Sequence, residues 1–228
     1  MTIVAIMQPT YLPYLGYFEL IAQSDVFVLL DDVQFERRSW QSRNRIFGAA
    51  GEVTLTVPVK KHARETLIRD VEIAYDQAWT QKHLDSMAHA YRARPHGAEA
   101  FDFLAEQLRA EPVQLAALNQ AIIVEASHRL GIETRIVSAS DSVFDGKRSE
   151  HLLQICRAFD ATGYLSTAGS SDYLEADGVF AKAGLPVRYH SHTPRPYPQG
   201  RADFTPFMAF IDAVANLGWG GLAAHLTA

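Results

Sequence analysis

Polar residues able to do chemistry follow the first apolar run of the chain. That run, TIVAIM, leads into QPTYLPYLGY. Gln8 can both donate and accept hydrogen bonds, and Pro9, Pro13 and Gly16 form a rigid loop whose backbone can approach a ligand closely. The amides that open the following helix can bind an anion. We therefore predict a binding loop over residues 8–16; a packed loop whose aromatic rings close the core is the alternative.

Two adjacent carboxylates, Asp31 and Asp32, end the second apolar run, DVFVLL. Neighbouring residues of a strand point to opposite faces, so these two are not expected to share a proton. We predict that one carboxylate is structural. The other is predicted to orient an amine, hold a metal-bound water or accept a proton.

Basic residues further along the chain offer contacts to an anion. Arg43 and Arg45 flank Asn44, and guanidinium groups suit the recognition of phosphate or carboxylate. We interpret Arg37 and Arg38 as a solvated face, and Lys61 as an edge charge. Three more cations are candidates for phosphate contact, one after a strand and two before a helix: Lys60, Lys147 and Arg148.

A strand that ends in small polar residues predicts a further phosphate cradle. In GYLSTAGSSDYLE we select Ser166, Ser170 and Tyr173, although the segment has neither P-loop nor dinucleotide-fold spacing. His190 and His192 would share one face of a later strand, within reach of a metal. Because the sequence assigns no third ligand, we predict no metal site and keep His190 as an acid or base.

The elements that position these residues alternate between strand and helix. The first unit is strand, loop, helix and strand, and a parallel sheet brings the loop after its first strand and the end of its second strand to one edge. This pattern predicts an α/β fold with a Rossmann-like parallel sheet. We place the core domain in residues 1–75 and 131–228, and a mainly helical insertion in residues 76–130.

Composition narrows the class of protein. The 228 residues carry a formal charge of −5, which argues against nucleic acid as a partner. Cys156 is the single cysteine, so no intrachain disulfide forms, and its place among apolar residues predicts a buried side chain. No segment approaches the roughly 20 apolar residues of a membrane helix. We expect a cytoplasmic protein that does not insert into membranes; the oligomeric state stays open.

Several segments occur in an order that resembles the WbqC-like protein family over nearly the whole chain. They are QPTYLPYLGYFELIAQSDVFVLLDDVQF, SWQSRNRI, LTVPVKKH, GYLS, YPQG and FTPFMAFIDAVANLG. The resemblance implies an association with bacterial surface-polysaccharide and O-antigen gene sets. It also implies a sugar-nucleotide or amino-sugar context, with a nucleotide-linked sugar or another small molecule as the substrate.

The opening segment also looks like that of pantothenate synthetase and other HIGH-motif nucleotidylyl-transfer enzymes, which implies a sheet of the HUP type. In that superfamily two histidines hold the nucleotide phosphates. Tyr14 and Tyr17 stand at the matching positions here, and of the motif only Gly16 is kept. The replacement of these two histidines by tyrosines removes two cationic hydrogen-bond donors, which argues against ATP-dependent adenylation. The co-substrate stays open between ATP with Mg²⁺ and an activated acyl donor.

The resemblances favour an acyl or aminoacyl transferase or ligase that modifies the amine of a nucleotide-linked amino sugar. In this hypothesis Gln8 and Asn44 position the acceptor, and Asp31 or Asp32 takes its proton. The diphosphate is held by Arg43, Arg45 and Lys147. Two alternatives are a nucleotidylyltransferase acting on a sugar phosphate, and a non-catalytic module that binds a sugar nucleotide or a partner enzyme.

Overall fold

A computed structural model describes residues 1–48 and 51–227. Its strands and α-helices follow in chain order: β1 (Ile3–Met7), α1 (Leu15–Ala22), β2 (Val26–Leu29), β3 (Arg43–Gly48), β4 (Gly51–Thr56), α2 (Trp79–Tyr91), α3 (Gly97–Arg109), α4 (Leu115–Arg129), β5 (Arg135–Ser138), α5 (Ser149–Ala158), β6 (Gly163–Thr167), α6 (Ser171–Asp177), α7 (Val179–Lys182), β7 (Val187–His190) and α8 (Phe210–Thr227). Within the described ranges no helix is long and apolar enough to cross a membrane.

The chain divides into two compact units. The first unit comprises Met1–Gln8, Gly16–Asp32 and Ile132–Thr193, and the second comprises Pro9–Leu15, Val33–Gly131 and Pro194–Ala228. The boundaries that the sequence predicts for a helical insertion stay a prediction.

The first unit contains a five-stranded parallel sheet in the order β5-β2-β1-β6-β7. The apolar runs IVAIM and VFVL form its central strands, and all four residues of β2 are buried, as expected for parallel strands covered on both faces. Side chains of α5, among them Ile155 and Cys156, pack with Val4, Val28 and Tyr164 in the core. The predicted α/β class with a Rossmann-like parallel sheet is confirmed.

The strand order reverses beside β1. The chain passes from β1 to β2 and β5 on one side, then crosses to β6 and β7 on the other. In open α/β sheets a crevice opens at such a switch point, outside the carboxyl ends of the strands. The polar residues that follow β1, β2, β5 and β6 therefore lie at the edge where ligands of this fold class bind.

The second unit is built from an antiparallel hairpin and four helices. Strands β3 and β4 pair from Arg43 opposite Thr56 to Gly48 opposite Gly51. Helix α3 packs against α2, α4 and α8, and α2 and α8 pack against β3. Helix α8 is interrupted at Gly218, where φ is 68° and a Cβ atom would lie 2.7 Å from the His96 ring.

A buried carboxylate explains the conformation of the YPQG segment in this unit. Asp212 on α8 is 1% exposed, and its oxygens accept hydrogen bonds from the hydroxyls of Tyr91 (2.9 Å) and Tyr197 (2.7 Å) and from the Gln199 amide (2.9 Å). A buried charge is tolerated only when it is hydrogen-bonded in this way. These residues therefore hold the chain after β7 in place.

Candidate functional site

The two adjacent carboxylates at the end of β2 have different surroundings. Asp31 is buried, and its oxygens accept hydrogen bonds from the backbone N–H of Ser140 (2.9 Å) and from the Ser140 hydroxyl (2.6 Å). These bonds tie the end of β2 to the turn that follows β5. Asp31 therefore holds the end of β2 against this turn, and its assignment as the structural member of the pair stays a prediction.

Asp32 is paired with a histidine instead. His151 Nε2 lies 3.0 Å from Oδ2 and 3.2 Å from Oδ1 of Asp32, and each side chain is 11% exposed. A carboxylate only accepts hydrogen bonds, so Nε2 carries a proton, and in the neutral ring Nδ1 keeps its lone pair. No described residue hydrogen-bonds Nδ1. This arrangement resembles the carboxylate–histidine pairs that accept protons in enzymes.

The start of α5 positions His151. Gly146 has a φ of 89°, and a Cβ atom there would lie 3.0 Å from Cβ of Glu150 and 3.1 Å from the backbone nitrogen of His151. Glycine therefore lets the preceding loop approach the first turn of the helix. The His151 ring also meets Phe144 edge to face, with 6.1 Å between centroids. Sequence reasoning missed His151; its one signal was a histidine on the apolar face of a predicted helix.

Two of the predicted basic residues lie just before the same helix. Lys147 and Arg148 are exposed, and no described carboxylate is within ion-pair distance of either. Arg148 has a φ of 52°, a left-handed backbone conformation that is uncommon outside glycine. A contact of these cations with phosphate stays a prediction.

The predicted residues of the opening loop are divided between the two units. Tyr17 is buried in the first unit, where its hydroxyl donates to the carbonyl oxygen of Gln8 (3.1 Å) and its ring meets Phe27 (5.3 Å between centroids). Burial raises the pKa of Tyr17. The residue therefore holds the end of β1 next to the start of α1, where Gly16 lies. Tyr14 belongs to the second unit and meets the Phe207 ring at 5.9 Å.

The hydroxyls that follow β6 bond to one another. Ser166 Oγ lies 3.1 Å from the Tyr164 hydroxyl and 2.6 Å from Ser170 Oγ, and Ser170 donates to the carbonyl oxygen of Thr167. Burial raises the pKa of Tyr164, which keeps this chain of hydroxyls neutral. Tyr173 is exposed, and partial burial raises its pKa. The structure brings Ser166 and Ser170 together, and their binding of phosphate stays a prediction.

The histidines at the end of β7 share a carboxylate. Glu19 Oε2 lies 3.1 Å from His190 Nε2 and 2.9 Å from His192 Nδ1. The contact with His190 has the distance of an ion pair without the alignment of a hydrogen bond. His190 Nδ1 lies 3.3 Å from the Gln23 amide nitrogen. In the part of the chain that the structure describes, no group of His, Cys, Asp or Glu is arranged to hold a metal ion.

Asparagine side chains fix the opening loop in the second unit. The Asn44 amide donates to the carbonyl oxygens of Tyr11 (3.0 Å) and Leu12 (2.7 Å), and the Asn119 amide donates to those of Pro9 (3.2 Å) and Gln41 (2.8 Å). Asn44 Oδ1 accepts from the Arg45 N–H at 2.8 Å. The NH2 group and the carbonyl oxygen of the Asn44 side chain are therefore both used within the protein, so this side chain supports the loop.

Arg43 and Arg45 both approach the exposed ring of Trp40, with 5.9 and 5.5 Å from guanidinium carbon to ring centroid. Arg45 also pairs with Glu52 at 2.8 Å.

Arg43 and Lys60 line one cavity of about 430 Å³ in the second unit. Four further basic residues line the same cavity, and sequence reasoning had assigned none of them to a site: Arg37, Arg38, Lys61 and His62.

The fold and the residues at its carboxyl edge define an α/β protein with a parallel sheet and a carboxylate–histidine pair, Asp32 and His151, beside it. The chain belongs to the WbqC-like protein family, whose model matches residues 8–223. An uncharacterized protein of Mycobacterium tuberculosis (strain ATCC 25618 / H37Rv), Rv1507c, is 32% identical over 223 residues, which is 94% of each chain. The predicted family is thereby confirmed. No solved structure matches, and the likeness to pantothenate synthetase stays a prediction.

Proposed function

We propose that the protein is an enzyme of bacterial surface-polysaccharide precursor synthesis, which transfers an acyl or aminoacyl group to the amine of a nucleotide-linked amino sugar. The observation that carries the proposal is the Asp32–His151 pair at the carboxyl edge of the parallel sheet. Membership of the WbqC-like family supports the biological setting.

The reaction needs a proton acceptor. An ammonium group has no lone pair, so the sugar amine must be neutral when it attacks the carbonyl carbon of an activated acyl donor. The new C–N bond forms as the bond from carbon to the leaving group breaks, and the amine nitrogen must lose one proton. His151 Nδ1 takes this proton, while Asp32 orients the ring and stabilises the imidazolium.

The donor must arrive in an activated form. A thioester or an acyl phosphate supplies a leaving group that departs with its bonding electrons, so the step consumes no oxidant or reductant. Nucleotidylyl transfer is distinguishable because it would release pyrophosphate from a nucleoside triphosphate. The two reactions thus differ in the mass of the product and in the anion that is released.

The test is a turnover assay with a panel of nucleotide-linked amino sugars and acyl or aminoacyl thioesters, read by the mass of the product. We expect the mass of one acyl group to be added to the sugar nucleotide. His151→Gln should slow this reaction about 100-fold, the usual contribution of a general base. His128→Gln, an exposed histidine on α4, is the matched control and should react at the wild-type rate.

Equal thermal midpoints of the wild type and His151→Gln would show that the variant is folded. Absence of acylated product across the panel would contradict the proposal. If the protein instead released pyrophosphate when given a nucleoside triphosphate and a sugar phosphate as substrates, nucleotidylyl transfer would replace acyl transfer as the proposed reaction.

A further inference from the structure

A basic pocket lies between the segment before β3 and the segment after β4 of the second unit, and it is open to solvent. Its volume is about 430 Å³, within the range of roughly 300–1,000 Å³ typical of small-molecule sites. Four apolar residues belong to its lining, which we call the apolar wall: Phe35, Val57, Pro58 and Val59. The remaining lining is dominated by basic side chains: Arg37, Arg38, Arg43, Lys60, Lys61 and His62. We use the name basic pocket for these residues.

The positive charge of the basic pocket is largely uncompensated. Among the described residues Lys60 alone of its lysines and arginines has a carboxylate partner, Glu72, at 2.7 Å. The other four cations face the cavity in a chain whose formal charge is −5. Like charges that converge on one space repel one another, so an anion between them would lower the energy of the folded protein.

Backbone contacts hold the walls of the basic pocket in place. The N–H of Val57 donates to the carbonyl oxygen of Ser42 (2.8 Å), that of Lys60 donates to Glu72 (2.9 Å), and that of Phe35 donates to Thr66 (2.9 Å). The segments that carry the cations are thus fixed relative to one another within this unit. A pre-organised site loses less free energy on binding than a set of mobile surface side chains.

Individual cations are also held by their neighbours. Arg37 Nη2 lies 3.4 Å from the carbonyl oxygen of His62, and the His62 ring meets Phe35 edge to face at 5.2 Å. The guanidinium of Arg43 lies over the Trp40 ring. Arg38 has a φ of 60°, a left-handed conformation that is unfavourable in a residue with a side chain. The turn that presents Arg37 and Arg38 is therefore strained.

We infer that the basic pocket binds the diphosphate of a phosphorylated small molecule, with the apolar wall against the group that the diphosphate carries. Several cations on segments held by backbone hydrogen bonds match the two or more charges of a diphosphate, whereas a single carboxylate would leave most of them unpaired. The identification of the ligand as a nucleotide-linked sugar rests on the proposed function, but binding of a diphosphate does not.

Isothermal titration calorimetry with inorganic pyrophosphate and with a uridine diphosphate sugar tests the inference. We expect both to bind the full chain, and binding to weaken as salt is added. Arg43→Gln and Lys61→Gln should each lower the affinity for pyrophosphate about tenfold or more, because each removes a charge-assisted contact. Two exposed cations outside the basic pocket provide matched controls, Arg109→Gln and Lys82→Gln, and these variants should bind as the wild type does.

The inference would be overturned by no binding of pyrophosphate to the folded wild type, or by wild-type affinity in both Arg43→Gln and Lys61→Gln. Equal losses in the control variants would also overturn it, because they would indicate a diffuse charge effect rather than a site. The wild type could bind pyrophosphate, lose this binding in both pocket variants, and yet show no acyl transfer in the turnover assay. That result would support the inference and contradict the proposed reaction. Acyl transfer with an unchanged KM in both pocket variants would support the proposed reaction and contradict the inference about the basic pocket.

Discussion

One buried histidine should make folding sensitive to acid. His83 on α2 is 5% exposed, with Nε2 3.2 Å from the carbonyl oxygen of Thr56 and Nδ1 2.9 Å from the Tyr11 hydroxyl. The carbonyl oxygen can only accept, so Nε2 carries the proton and Nδ1 accepts from Tyr11. Burial lowers the pKa of His83 from 6.5 to about 4, and the hydrogen bond to Thr56 opposes part of this shift.

The sign and size of the effect follow from the two pKa values. An unfolded histidine titrates near pH 6.5, so between that pH and about pH 4 the unfolded chain binds more protons than the folded one. The free energy of unfolding therefore falls as the pH falls through this window. At about 1.4 kcal/mol per pKa unit, the loss from His83 between about pH 7.5 and about pH 5 is about 2 kcal/mol.

Urea denaturation of the wild type and of His83→Gln at those two pH values measures this loss. The pH-dependent decrease in the free energy of unfolding should be about 2 kcal/mol smaller in His83→Gln. His128→Gln removes an exposed histidine and should keep the wild-type decrease. An unchanged decrease in His83→Gln would refute the assignment of the acid sensitivity to this buried ring.

Two further predictions concern stability and reactivity. Asn119→Ala should lower the free energy of unfolding by about 2 to 6 kcal/mol, because two carbonyl oxygens lose their donor at about 1 to 3 kcal/mol each. Urea denaturation measures this loss. A loss no larger than that of Gln77→Ala, which changes an exposed residue, would contradict the prediction. Burial raises the pKa of the Cys156 thiol to about 12, so a thiol reagent should label the native chain far more slowly than the urea-unfolded chain. Equal labelling rates would show that the thiol is accessible.

The strands of the parallel sheet were predictable because their cause is local. IVAIM and VFVL are continuous apolar runs, which suit strands buried on both faces, and both became central strands. Strand β3 was not predicted, because RNRIFG is polar and basic, and one of the residues it buries is Asn44, which an apolar pattern does not reveal. A strand whose buried face carries a polar residue leaves a weak signal in the sequence.

The candidate site was predictable in part. Asp31 and Asp32 were expected to differ because adjacent residues of a strand face opposite ways, and the structure gives them different partners just beyond the end of β2. Their partners, Ser140 and His151, lie more than 100 residues further along the chain, and no spacing rule connects positions that far apart. Arg37 was interpreted as part of a solvated face because a basic run is usually solvated, and only the fold places it at a cavity with Lys60.

The initial rate of acylated sugar-nucleotide formation by Asp32→Asn, measured by product mass, tests the proposed reaction most directly. An amide at this position cannot stabilise an imidazolium as a carboxylate does, so we predict a rate about 100-fold below that of the wild type. Asp76→Asn, which changes an exposed carboxylate, should react at the wild-type rate. A folded Asp32→Asn protein that forms product as fast as the wild type would contradict the role of the Asp32–His151 pair.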